Sequence, residues 1–143
     1  MKRSNTIGGI GIALAFAIAG TSAAYAAAED AIGTWRDTET AGILSVYSCT
    51  GGICVKVVTP SKGREADTKN PDPALKGRPM AGVEIMTGAA KDGADRWKGN
   101  LYNSEDGKTY SGWLIVQSKD EVKLEGCILG GLICKSTLWT RAQ

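Results

Sequence analysis

The residues able to do chemistry in this chain are its four cysteines and its carboxylates, because it contains no histidine. That absence excludes serine–histidine and cysteine–histidine nucleophiles and the usual three-histidine metal centres. Carboxylates lie close together at Glu105-Asp106, at Asp120-Glu121 and at Asp92 with Asp95, the raw material of paired acid–base catalysis. Each pair falls in a turn cluster, where solvated charge is the ordinary expectation. Neither a phosphate-binding Gly-x4-Gly-Lys-Ser/Thr loop nor a strand-linked Gly-x-Gly-x-x-Gly is present, so no enzyme and no cofactor are expected. Asp67, Asn70 and Asp72 gather oxygen ligands on one loop, as a calcium site would, but the EF-hand pattern is absent. Asn and Asp beside prolines read as cap and turn residues, and no metal is expected.

The cysteines read as structural. Cys49 with Cys54, and Cys127 with Cys134, each bracket a Gly-Gly pair (Gly51-Gly52, Gly130-Gly131) flanked by β-forming residues, the mark of a tight hairpin turn. Three pairings are formally available. Cross-strand partners beside a turn lie within disulfide reach, which favours Cys49–Cys54 and Cys127–Cys134. The spacing within each pair is too wide for a four-cysteine zinc site, and no Cys-x-x-Cys redox motif occurs.

Disulfides persist in an oxidising compartment, and the N-terminus supplies the route to one. Met1-Lys2-Arg3, then an apolar run from Ile7 to Gly20, then small residues, have the order of a secretory signal peptide. Ala24-Tyr25-Ala26 and Ala26-Ala27-Ala28 both fit the cleavage pattern, so the mature chain is expected to begin at Ala27 or Glu29. Residues 1–28 are thus read as a cleaved signal and 29–143 as one domain, periplasmic or secreted, with no stable membrane insertion after cleavage. Loss of Lys2 and Arg3 brings 17 basic residues down to 15, matching 15 acidic ones. A neutral mature chain lacks the basic footprint of a nucleic-acid binder.

The elements that position these groups follow from a period-two apolar pattern broken by glycine and charged clusters. It predicts strands near 32–37, 42–49, 53–59, 82–89, 95–102, 108–117, 121–128 and 133–141. Short connections such as Asp106-Gly107 pair neighbours in order. The expected fold is all-β: a single eight-stranded antiparallel up-and-down barrel, which leaves no open edge. Val122, Leu124, Gly126 and Ile128 share one face, with Lys123, Glu125 and Cys127 on the other. In "YSGWLIVQ" both faces carry apolar residues, so an outward patch and a weak homodimer contact are admitted.

Two aromatic–arginine motifs sit at the ends, "GTWRD" on the first strand and "LWTRA" on the last. In a closed barrel those strands are neighbours. Trp35 is expected to plug one end with the Arg141 guanidinium stacked on its indole. The pairing resembles the Gly-x-Trp start and late arginine of the calycin superfamily, to which lipocalins and fatty-acid-binding proteins belong. The long connection between the third and fourth strands carries "DTKNPDPALKGRPMAG", residues 67–82. Asn70 can cap a short helical turn, with Pro71 at its first position and Gly77 past its end. Leu75 then reads as an apolar plug over the open end, with Arg64, Asp67, Lys76 and Arg78 around it. The segment is a candidate lid that seals the core or a ligand gate, carried by Asp67, Asn70, Asp72, Leu75 and Arg78.

"GTWRD", the Cys49–Cys54 hairpin, the 67–82 segment, "EDGKTYSG", "GCILG" and "LWTR" occur in the order seen in an exported bacterial family, domain of unknown function 2147, which the chain resembles over its mature length. The resemblance implies a calycin-like exported protein without an established activity, and adds no catalytic residue. The expected role is non-enzymatic binding of a small apolar or amphipathic molecule inside the barrel. If Trp97, Trp113, Tyr102, Tyr110 and Trp139 fill the interior, the expectation becomes an envelope-associated structural or protein-interaction module.

Overall fold

The computed structural model describes residues 25–143. Residues 1–24, most of the expected signal segment, lie outside the described residues. A 3-10 turn, Ala28–Ala31, leads into β1 (Gly33–Asp37), β2 (Ile43–Cys49), β3 (Gly52–Thr59), β4 (Glu84–Lys91), β5 (Arg96–Asn103), β6 (Lys108–Ser118), β7 (Glu121–Ile128), a second 3-10 turn (Leu129–Gly131) and β8 (Ile133–Arg141). Each strand pairs antiparallel with the next, and β1 closes on β8 with Trp35 opposite Arg141. The eight-stranded up-and-down barrel is the one the period-two pattern predicts. Strand β4 starts two residues later than expected because Gly82, at φ 85°, turns the chain before extension resumes.

Alternation sends one face of each strand inward. Trp35, Val46, Ile53, Val55, Met86, Leu114, Val122 and Trp139 are all buried, while Lys123 and Glu125 on β7 pair at 3.3 Å on the other face. Strand β6 resolves its ambiguity the same way: Leu114 and Val116 are buried. Trp113 takes the opposite face, its Nε1–H donating to Asp92 at 3.0 Å and its ring lying 5.0 Å from Lys98 Nζ. Both expected disulfides are present, Cys49–Cys54 with Cα atoms 5.8 Å apart and Cys127–Cys134 at 4.1 Å. They clamp hairpins at opposite ends of the barrel.

The long connection, residues 60–83, folds back on itself. Ala66 pairs with Pro79 in an antiparallel bridge. The Asp67 N–H donates to Arg78 O at 2.9 Å and the Met80 N–H to Glu65 O at 2.8 Å. Within it, Asn70 Oδ1 accepts from the Asp72 N–H and Asp72 Oδ1 from the Ala74 N–H, both at 2.9 Å, and the Lys76 N–H reaches Asp72 O at 3.0 Å. The expected helical segment is therefore one α-turn held by Asx-type bonds.

Candidate functional site: the barrel mouth

One end of the barrel is shut. Trp35 is wholly buried and donates its indole N–H to Ala31 O at 2.8 Å. The Arg141 guanidinium lies 4.2 Å from the centre of that ring. It also donates to the backbone oxygens of Lys119 at 2.6 Å, Asp30 at 2.8 Å and Ile32 at 3.3 Å. Gly33 is needed for this approach: a Cβ there would lie 2.4 Å from Arg141 Nη1, at a φ of 147°. The structure thus brings together the two residues picked from "GTWRD" and "LWTRA", at the end opposite the long loop.

The other end is open. A cavity of about 550 Å³ enters between the β1–β2, β3–β4, β5–β6 and β7–β8 connections, within the usual size of a small-molecule site. Its apolar walls include Leu44, Val57, Ile85, Leu101, Leu124 and Trp139, and Met80 reaches it from the long loop. Glu39, Arg64, Glu105 and Lys135 form a rim of mixed charge, where Arg64 pairs with Glu105. Trp97 and Trp139 are buried in the barrel, and Tyr102 and Tyr110 line the cavity with their hydroxyls bonded to Asp67 and Asp106; Trp113 faces away, so the five aromatics do not fill the interior together.

Asp37, Glu105 and Asp106 at the mouth are engaged by neighbours. Asp37 Oδ1 accepts from the Glu39 and Thr40 N–H groups at 2.8 and 2.9 Å. Its Oδ2 accepts from Trp139 Nε1–H at 3.2 Å and the Thr137 hydroxyl at 3.4 Å. Asp37 therefore orients the wall rather than serving as a free base. The Tyr110 hydroxyl holds the Asp106 carboxyl below the usual carboxylate range, and the same bond pushes Tyr110 up. The mouth thus presents an apolar interior under a polar, two-signed rim.

The residues read as a lid form one cluster, but not the one the sequence suggests. Asp67 is wholly buried and accepts from the Tyr102 hydroxyl at 2.5 Å, Asn70 Nδ2 at 2.8 Å and Arg78 Nε at 3.1 Å. Burial works to raise its pKa, yet the three donors outweigh that and hold it below the usual value. Tyr102 is pushed up to about 12 by burial and by the Asp67 carboxylate. Donors converging on Asp67 occupy the oxygens a cation would need, and Asp72 spends its side chain on the turn. Gly107, at φ 71°, fits so closely that a Cβ would lie 1.9 Å from Lys69 O. The 67–82 segment and the "EDGKTY" turn therefore dock on each other.

Leu75 is not a plug over the mouth. It is 39% exposed and does not line the cavity. The Ala66–Pro79 bridge folds residues 67–78 into a separate clasp, leaving Arg64 and Met80, just outside it, to face the cavity; Met80 is only 3% exposed. Sequence reasoning also passed over the hairpin tip "ILGGLI" at 128–133. Leu129 and Leu132 there are 68% and 84% exposed, and Ile128 and Ile133 line the cavity lip. Aliphatic residues on both sides of a Gly-Gly turn, inside a cysteine pair, were the available signal.

The fold has a solved counterpart. The chain is similar to a structure described as "Protein HP1028 from the human pathogen Helicobacter pylori belongs to the lipocalin family", with a TM-score of 0.69 and 24% identity over 79% of this chain and 83% of that one. Comparison with curated protein sequences gives no match. Residues 33–141 match the family described as "Uncharacterized protein conserved in bacteria (DUF2147)". That span runs from the glycine that admits Arg141 to Arg141 itself and takes in the docked loop and the mouth, so the chain belongs to the DUF2147 family.

Proposed function

We propose that the protein is a non-enzymatic, exported carrier or sensor that holds one small amphipathic molecule in the barrel mouth, in the periplasm or outside the cell. The observation that supports this reading is the cavity of about 550 Å³, apolar at depth and ringed by Glu39, Arg64, Glu105 and Lys135. An apolar tail gains by leaving water for such walls, while a polar head stays with the rim. The lipocalin-like counterpart supports it at the level of fold. A titration with a bromine-labelled single-chain amphiphile tests it: saturable quenching of Trp139, which lines the cavity, is expected. Replacing Ile85 by Trp narrows the cavity and is expected to weaken that quenching at least tenfold in affinity, about 1.4 kcal/mol. Quenching that never saturates, or that is indifferent to Ile85→Trp, refutes it.

A second reading rests on the tip at 128–133. Four aliphatic side chains exposed on a disulfide-clamped hairpin suit an envelope-associated or protein-interaction module. Replacing Leu129 and Leu132 by Ser separates the two: loss of envelope association with amphiphile binding retained favours the module.

A further inference from the structure

We infer that export processing cuts between Ala26 and Ala27, and that the new Ala27 ammonium becomes part of the closed barrel end, bound to the Asp30 carboxylate. Both small-x-small sites satisfy the pattern in sequence, so the choice must come from what each cut would do to the fold. Ala28 is wholly buried. Its N–H donates to Ala94 O at 2.8 Å, and its carbonyl accepts the Trp97 indole N–H at 2.7 Å in a buried bond. Cutting after Ala28 would delete that acceptor and orphan a buried donor, an expensive state. Cutting after Ala26 keeps the whole Ala28–Ala31 turn, which supplies the carbonyls for Trp35, Trp97 and Arg141.

The Asp30 side chain gives the second observation. Its Oδ2 lies 3.0 Å from Ala27 N, while the Asp30 N–H returns a bond to Ala27 O at 2.9 Å. Among the described residues the neighbouring Glu29 pairs with Lys91 at 2.6 Å, and the Asp30 carboxylate has no lysine or arginine partner. Cleavage at Ala27 turns a neutral amide donor into an ammonium at that position, a charge-assisted bond of shorter reach and greater strength. Tyr25, on the far side of the cut, is 90% exposed.

Intact-mass measurement of protein recovered from the exported fraction tests the cut. A mass beginning at Ala27 is expected; one beginning at Glu29, or retaining Tyr25 and Ala26, overturns the inference. Ala24→Leu removes a small residue from the first site and leaves the second intact, so it is expected to abolish the Ala27 product, and unchanged processing overturns the assignment. The role of the ammonium is read separately. Asp30→Asn is expected to lower Tm more in the chain starting at Ala27 than in one carrying two extra residues ahead of it, where the ammonium is an amide again. Equal losses overturn the charge pairing.

Discussion

Replacing Tyr102 by Phe removes a single hydroxyl from the clasp that holds the long loop to β5. That hydroxyl donates to Asp67 at 2.5 Å, and Asp67 is wholly buried. A hydrogen bond to a charged group is worth about 1.5–3 kcal/mol net. Asn70 and Arg78 still serve the carboxylate in the variant, so a loss of about 2 kcal/mol is expected, in the middle of that range. For a domain of this size that corresponds to a fall in Tm of about 8 °C. The pH dependence carries a second signature. Asp67 is held below its usual pKa, so its contribution is full above the unfolded carboxylate value and is lost as pH falls through the folded one. Taking away a donor raises the folded value, and acid unfolding moves to higher pH. Tyr102 is raised to about 12, so its contribution is full below the ordinary tyrosine range and fades as pH rises through 12 in the native protein; the variant lacks that alkaline limb. Thermal melts followed by circular dichroism across pH read both limbs. A Tm within about 1 °C of the native value, together with an unmoved acid limb, would refute the clasp.

Gly33→Ala places a Cβ against Arg141 at a positive φ and is expected to cost about 1–3 kcal/mol, read by urea unfolding. Leu75→Asp, on the exposed turn, is expected to change stability by less than about 0.5 kcal/mol and to leave amphiphile affinity unaltered, in a paired melt and titration; a tenfold loss of affinity would restore Leu75 as a plug. Replacing Cys127 and Cys134 by Ser opens the loop beneath the 128–133 tip and is expected to cost about 2 kcal/mol, with faster hydrogen exchange confined to β7 and β8.

The fold was legible because its information is local and periodic. Val122 and Leu124 announce an inward face at a spacing of two, and Gly-Gly turns between cysteines announce clamped hairpins. The Trp35–Arg141 contact was legible once closure made the first and last strands neighbours. The mouth was not, because its rim gathers Glu39, Arg64 and Glu105 from three connections and Lys135 from the start of β8, with no period between them. The loop misled for a related reason. Leu75 and Met80 are both apolar residues among turn formers, and which one faces the cavity depends on the Ala66–Pro79 bridge and the buried Asp67, contacts that no local pattern encodes.

Native mass spectrometry of the protein purified from the exported fraction without detergent reads ligand occupancy of the barrel itself. A folded species carrying one small molecule in excess of the polypeptide mass, released on unfolding and reduced in Ile85→Trp, is expected. A wild-type protein that emerges at its bare mass, and stays so after incubation with amphiphiles, would contradict the proposed binding.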